Sequence, residues 1–177
     1  MHEIIRQCQQ GDLRAFEAIY RHFEQVLLNI GLRMLGSRED AEDAVQMAFL
    51  KLYRGISGYR FEAKFSTFLY RIMVNCCLDA LQKRKRSSLR QAELASVAFD
   101  PKIDLKMQLE EAIAALPDRM RACFVLFAIH ELKQQDIASI LELSVGAVKS
   151  HIFQAKAKLR ALLSEQPTTT IGDRSQT

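Results

Sequence analysis

Apolar residues recur along most of the chain at steps of three and four, the spacing that lines one face of an α-helix. Asp12 is a suitable N-cap, and from it Leu13, Phe16, Ile19, Phe23, Leu27, Ile30 and Met34 form one continuous stripe. Gly36 is placed to end that helix in the left-handed conformation. Ser37, with Asp40 three residues on, opens a second helix. Its inner face is Ala41, Ala44, Val45, Ala48 and Leu52, and Gly55 ends it. Glu39, Asp40, Glu42 and Asp43 occupy its first turn, where negative charge suits the helix dipole. Residues 56–66 have no usable period and contain Gly58, which predicts a loop. A third long helix is predicted from about Thr67 to Lys83, running into Lys83-Arg84-Lys85-Arg86.

Residues 87–108 are polar and irregular, too long for an ordinary loop inside one compact domain, and predict a flexible linker. Leu109, Ile113 and Leu116 then line another helix, and Pro117-Asp118 breaks the chain before Met120–Ile129. A short helix over Gln134–Leu141, the turn Glu142-Leu143-Ser144 and a helix over Val145–Leu163 have the form of a helix-turn-helix. Residues 166–177 are polar and Thr-rich, and are expected to be a disordered tail. The expected fold is all-α: two small helical domains, 1–86 and 109–165, joined by the linker over 87–108.

Composition supports this and removes other classes. Seven Gly, three Pro and no Trp among 177 residues do not suit the many turns of a β-sandwich or barrel. Apolar types make up 49%, yet the longest apolar runs, such as Ala122 to Ile129, fall far short of the ~20 residues that span a bilayer. No basic flank followed by an apolar stretch opens the chain, so a cytoplasmic location is expected. Cys8, Cys76, Cys77 and Cys123 lack C-x-x-C spacing and read as reduced core thiols rather than a disulfide framework or zinc site. No nucleophile–base set, phosphate loop or metal motif is visible, so neither catalysis nor a cofactor is expected. The net charge of +4 is mild, and only its distribution can point to nucleic acid.

That distribution is uneven. On the last helix, Val145, Val148, Ile152, Ala155, Leu159, Leu162 and Leu163 share one arc at ~100° per residue. Opposite them lie Gly146, Ala147, Ser150, Phe153, Gln154 and Ala157, flanked by Lys149, His151, Lys156, Lys158 and Arg160. Cations on both flanks can reach phosphates on the two groove walls while short side chains face base edges. Phe153, an aromatic opposite the core stripe, has no packing role there and can touch a thymine methyl. The plainer alternative is a solvated amphipathic face with incidental lysines. Further upstream, Tyr53, Tyr59, Phe61, Phe65, Phe68 and Tyr70 crowd into 18 positions, followed by Arg71, Lys83, Arg84, Lys85, Arg86 and Arg90. Rings beside a cationic track suit unstacked bases, each stack contributing roughly 1–3 kcal/mol. For Tyr53, Phe65 and Phe68 a core role is equally open, whereas Tyr59 and Phe61, on the irregular segment, are expected outside the core.

The stretches DLRAFEAIYRHF, SREDAEDAVQMAFLKLYRGISGY, FSTFLYRIMVNCCLDALQKRKR, ALPDRMRACFVLF and QDIASILELSVGAVKSHIFQAKAKLR cover most of residues 12–163. In order and spacing the chain resembles the group 4 (extracytoplasmic function, ECF) sigma factors of bacterial RNA polymerase, in the sigma-70 family. The resemblance implies that the helix from Ser37 to Arg54 docks on core polymerase through Asp40, Asp43, Gln46, Phe49 and Lys51. It implies capture of a flipped base and melting of the −10 element by Tyr59, Phe61, Phe65, Thr67, Phe68, Tyr70, Arg71, Asn75, Asp79, Lys83 and Arg84. Reading of the −35 element falls to Lys149, Ser150, His151, Phe153, Gln154, Lys156 and Arg160. An anti-sigma factor, membrane-bound or soluble, is the further partner it implies. Phe68 stands where many relatives carry Trp. Lys149, His151 and Gln154 stand where arginines are common, so bidentate guanine contacts are weaker or absent. The competing readings are a polymerase-independent helix-turn-helix regulator and a metal or thiol sensor built on the cysteines and histidines.

Overall fold

The computed structural model describes residues 1–90 and 105–164, with side chains described over 1–87 and 108–164. Eight helices and no strand are found among the described residues: α1 (His2–Gln9), α2 (Leu13–Leu35), α3 (Arg38–Gly55), α4 (Phe65–Arg90), α5 (Leu105–Ala114), α6 (Asp118–Phe124), α7 (Gln134–Leu141) and α8 (Val145–Ser164). A 3₁₀ turn spans Ile56–Gly58, and a π-helical stretch, Val125–Ile129, continues α6.

The helix ends follow the side chains that satisfy them. Asp12 accepts from the backbone N–H groups of Arg14 (2.8 Å) and Ala15 (3.3 Å), which starts α2. Gly36 ends α2 at φ 72°, a conformation that costs a glycine little. Ser37 Oγ accepts from Asp40 N–H at 3.3 Å to start α3. Of the expected α2 stripe, Ile19, Phe23, Leu27, Ile30 and Met34 are buried, while Leu13 stands 65% exposed. α1 has no counterpart in the sequence-based expectation. It buries Ile5 and Cys8 against α2 and the segment after α3. α4 is longer than expected at both ends. No Gly or Pro lies between Gly58 and Pro101 to stop it, and its basic end meets Leu35, Asp40 and Asp118 from other elements. Residues 87–90 and 105–108 of the expected linker are therefore helical, and its centre, 91–104, lies outside the described residues, as does the 166–177 tail.

α2 is the axis on which α1, α3 and α4 pack. Gly31 marks the closest approach: a Cβ there would lie 2.9 Å from Met73 Cε and 3.0 Å from Ala41 Cβ, so α2, α3 and α4 meet where no side chain intervenes. α7 lies against α4, and one apolar cluster runs through both halves, from Leu27 and Met73 to Leu126, Ile137 and Ile140. The polar seam between halves comprises Arg121 Nη1 to Met34 O (2.5 Å), Lys85–Asp118 (2.6 Å), Arg33–Glu110 (3.1 Å) and Arg71 to Ser139 O (2.6 Å).

All four cysteines are free and buried. Burial pushes their thiols up, Cys77 to about 12 and Cys123 to about 11. A thiol raised in the folded state contributes stability that is present below the ordinary thiol range and lost as pH rises through it. The protein is therefore expected to lose stability as pH climbs above about 9, and to react with a thiol reagent at neutral pH far more slowly when native than when denatured. Rapid native labelling of several thiols would contradict that burial.

Candidate nucleic-acid interface

The segment between α3 and α4 folds into a small cleft. Its 190 Å³ are lined by Gly58, Tyr59, Arg60, Glu62, Ala63, Thr67, Phe68 and Arg71. That is below the ~300 Å³ of ordinary ligand pockets and suits one planar group. Tyr59 is 8% exposed, contrary to the expectation of an uncovered ring. Its hydroxyl donates to Ala63 O at 2.5 Å, and its ring lies 5.4 Å from Phe65 and 5.2 Å from Phe68. Phe65 is also buried, 5.7 Å from Phe23. Tyr59 lines the cleft and Phe65 packs behind it, and neither ring can serve as a free stacking platform. Phe61 has φ 60°; it is half-buried, as are Phe68 and Tyr70 of α4, and Thr67 is buried at the lip. Burial raises the Tyr59 and Tyr70 phenols, so both stay neutral at physiological pH.

Arg71 reaches from the cleft to the other half, where it donates to Ser139 O and faces Glu142 at 3.8 Å. Its Nε is buried without a partner. Along α4, Asn75 and Lys83 are exposed; Asp79 pairs with Lys51 of α3 at 3.3 Å. Arg84 donates to Leu35 O at 3.4 Å and lies 3.9 Å from Asp40. Asp40, Asp43 and Lys51, expected to face polymerase, thus meet Asp79, Lys83 and Arg84, expected to face DNA, across one groove of about 550 Å³.

On α3, Asp43 and Gln46 are exposed and Asp40 is half-buried. Phe49 is a correction: only 4% exposed, it packs 4.5 Å from Tyr20 and 6.3 Å from Phe16 and cannot present its ring to a partner. The apolar side chains that α3 does present are Met47, Leu50 and Tyr53, each about half exposed. Sequence reasoning missed Met47 and Leu50, although both fall off the buried stripe of this helix.

In the second half, Glu142 turns the chain at φ 54°, and Ser144 Oγ accepts from Ala147 N–H at 3.1 Å to start α8. Val148, Ile152, Ala155 and Leu159 are buried, and Phe153, on the opposite side, is 75% exposed. Lys149, Ser150, Gln154, Lys156 and Arg160 surround it in solvent. Gln154 Nε2 donates to Ser150 Oγ at 3.1 Å, and Lys156 Nζ sits 5.0 Å above the Phe127 ring. His151 is half-buried, its Nδ1 without a protein partner. Leu162 departs from the expected buried arc and is exposed. No cluster of His, Cys, Asp or Glu able to hold a metal occurs among the described residues, and no described helix is long and apolar enough to cross a membrane.

Residues 19–87 match the family model Sigma-70 region 2, and residues 106–159 match Sigma-70, region 4. The chain is 32% identical to the ECF RNA polymerase sigma factor SigW of Bacillus subtilis (strain 168), over 91% of this chain and 95% of that one. It is 30% identical to the ECF RNA polymerase sigma-E factor of Escherichia coli (strain K12), over 86% and 88%. Among solved structures, CnrH in complex with the cytosolic domain of CnrY is similar at 27% identity and a TM-score of 0.71, covering 93% of this chain and 97% of that one. The sigma factor RpoE of Bartonella quintana, solved with the anti-sigma factor NepR, shares the fold at 22% identity and a TM-score of 0.70, covering 86% and 98%. Two region matches in the right order, with curated relatives alike over nearly their whole length, carry the conclusion: this chain belongs to the ECF sigma factors of RNA polymerase, in the sigma-70 family.

Proposed function

We propose that this chain is a dissociable initiation factor that performs no catalysis itself and acts in the cytoplasm, with residues 1–86 and 109–165 as its two reading units. Asp40, Asp43, Gln46 and Lys51, with Met47 and Leu50, form the face for core polymerase. The cleft of Tyr59, Thr67, Phe68 and Arg71 holds one base unstacked from the −10 element. Phe61, Phe65 and Tyr70 support it from behind, and Asn75, Asp79, Lys83 and Arg84 continue along the strand. Because Lys51, Asp40 and Glu142 engage Asp79, Arg84 and Arg71 in this structure, those pairs exchange for DNA contacts on binding. α8 enters the −35 major groove with Phe153, Ser150 and Gln154 toward the bases and Lys149, His151, Lys156 and Arg160 toward the backbone. An anti-sigma factor that covers both units when the chain is idle is the regulatory partner, a reading supported by the likeness to CnrH, which was solved with a cytosolic domain of CnrY.

The observation that carries this reading is the pairing, in one chain, of a 190 Å³ cleft at the start of α4 with an exposed aromatic on the outer face of a helix-turn-helix. Transcription with purified core polymerase and genomic promoter fragments tests it. Start sites that appear only when the chain is added are the expected result. No initiation, with no co-elution with core polymerase, would instead identify a stand-alone regulator. Phe153→Ala is expected to lower initiation from −35-dependent promoters while leaving stability within about 0.5 kcal/mol, because the ring buries little. A collapse of stability would show that α8 is turned the other way.

A further inference from the structure

α1 packs on α2 and on the 3₁₀ turn after α3, and so holds the loop that walls the cleft. The side-chain amide of Gln9 donates one N–H to Ile56 O at 3.0 Å and the other to Tyr59 O at 2.8 Å. Both acceptors are carbonyls, so only the NH₂ end of the amide can satisfy them, and its two donors are matched one to one. Those carbonyls bracket the 3₁₀ turn that delivers Tyr59 into the cleft. Two further α1 residues close on Phe61: the His2 ring packs edge-on at 5.4 Å and the Arg6 guanidinium lies 5.8 Å over the ring. Phe61 is held in the left-handed region, where a non-glycine residue persists only if its surroundings impose it. The loop is therefore fixed from its back by α1 and from within by the Tyr59 hydroxyl on Ala63 O.

We propose that Gln9 is a positioning residue for promoter opening: by clamping Ile56 O and Tyr59 O it holds the cleft open in the shape that receives the unstacked base, without touching DNA. This rests on the reading of the cleft as the −10 base site.

The test uses the full chain with core polymerase on a promoter from the initiation experiment, 2-aminopurine in the −10 non-template strand reporting opening. Gln9→Glu keeps the shape but turns an acceptor-only carboxylate on two carbonyls; Gln9→Met removes both donors without adding charge. Both are expected to slow opening at least about tenfold, about 1.4 kcal/mol in barrier. Melting temperature should fall by only a few degrees, and polymerase co-elution should stay at the wild-type value. On a template already unpaired across the −10 element both should initiate near the wild-type rate, and Gln9→Glu alone should recover as pH falls and its carboxyl takes a proton. A role in general stability would instead lower melting and co-elution together and would not be bypassed by the unpaired template. If Gln9→Glu does not fold, Gln9→Met carries the same comparison. Phe68→Ala separates the two ideas. Slow opening by Phe68→Ala with wild-type opening by both Gln9 variants would overturn the positioning role and leave the cleft reading standing. Wild-type opening by Phe68→Ala as well would overturn both.

Discussion

Leu50→Glu is expected to weaken binding to core RNA polymerase at least about 100-fold, about 2.8 kcal/mol, with no change in thermal stability. Leu50 lies at the centre of the apolar surface of α3, between Met47 and Tyr53, each about half exposed, with Gln46 and Asp43 beside them. Exposed apolar side chains rimmed by polar ones mark a partner surface, and a few such anchors carry most of the energy of an interface. A carboxylate there would be stripped of water on docking, and the one cation a turn away on the same helix, exposed Arg54, would offset that cost only in part. In the free protein the same carboxylate sits in water and costs little. Phe49→Ala is the necessary contrast. Its ring is buried against Tyr20 and Phe16, and truncation should cost about 3–5 kcal/mol of folding stability. Any loss of polymerase binding by that variant therefore reports the core of the first half. Titration of labelled chain with core polymerase, alongside melting curves, distinguishes the two. Wild-type affinity in Leu50→Glu would remove the outer face of α3 from the contact.

The second large effect falls on Arg121, a guanidinium only 7% exposed. Nη1 donates to Met34 O at 2.5 Å; Nη2 donates to Leu116 O at 3.0 Å and to Ala114 O. Burial lowers its affinity for the proton, with Asp118 acting the other way, yet an arginine remains charged at any pH the fold survives. Its acceptors lie where α2 and α5 end, so the cation also meets the negative ends of two helix dipoles. A hydrogen bond from a charged donor contributes about 1.5–3 kcal/mol, and three sharing one donor group do not add fully. Arg121→Ala should lower stability by roughly 3–5 kcal/mol, equivalent to about 10 °C in melting temperature for a chain of this size. Arg121→Lys keeps the charge but not the fork that spans three carbonyls, and should fall between. A shift of less than about 2 °C in Arg121→Ala would show that the guanidinium does not hold these ends together.

How much of this was legible in the sequence follows from the range of the interactions involved. α2, α3 and α8 were readable because a cap and a stripe are local: Asp12, Ser37 and Ser144 bond to backbone two or three residues on, whereas α7, whose N-cap Lys133 makes no side-chain bond, was readable from its stripe alone. Phe153 was readable for the same reason, since exposure opposite a buried arc is a property of one helix. α1 was not, because eight residues carry barely two turns of periodicity and Met1 makes no side-chain cap. The end of α4 was not, because its basic run looks like a terminus until its distant partners are known. Tyr59 and Phe49 were misjudged on the same account. What covers them (Ala63 O and Phe65 for one, Tyr20 and Phe16 for the other) comes from folding, not from their own spacing.

The seam between the halves bears on how the factor competes for polymerase. An extended promoter asks the −10 and −35 surfaces to stand about two helical turns apart, whereas here Arg71 of the cleft is bonded to Ser139 of α7. If both elements are read at once, chains with that seam parted are the ones expected to bind, and apparent affinity is then expected to fall in proportion to their fraction. The ion pairs at the seam, Lys85–Asp118 and Arg33–Glu110, involve partly exposed charges and weaken as salt rises. Salt therefore acts on two contacts at once: it weakens the ionic part of the seam, leaving its apolar cluster and the Arg121 bonds, while it loosens the hold on promoter phosphates. Recruitment and DNA retention then have different ionic optima, and the conditions that best load the polymerase are not those that best keep it on the promoter.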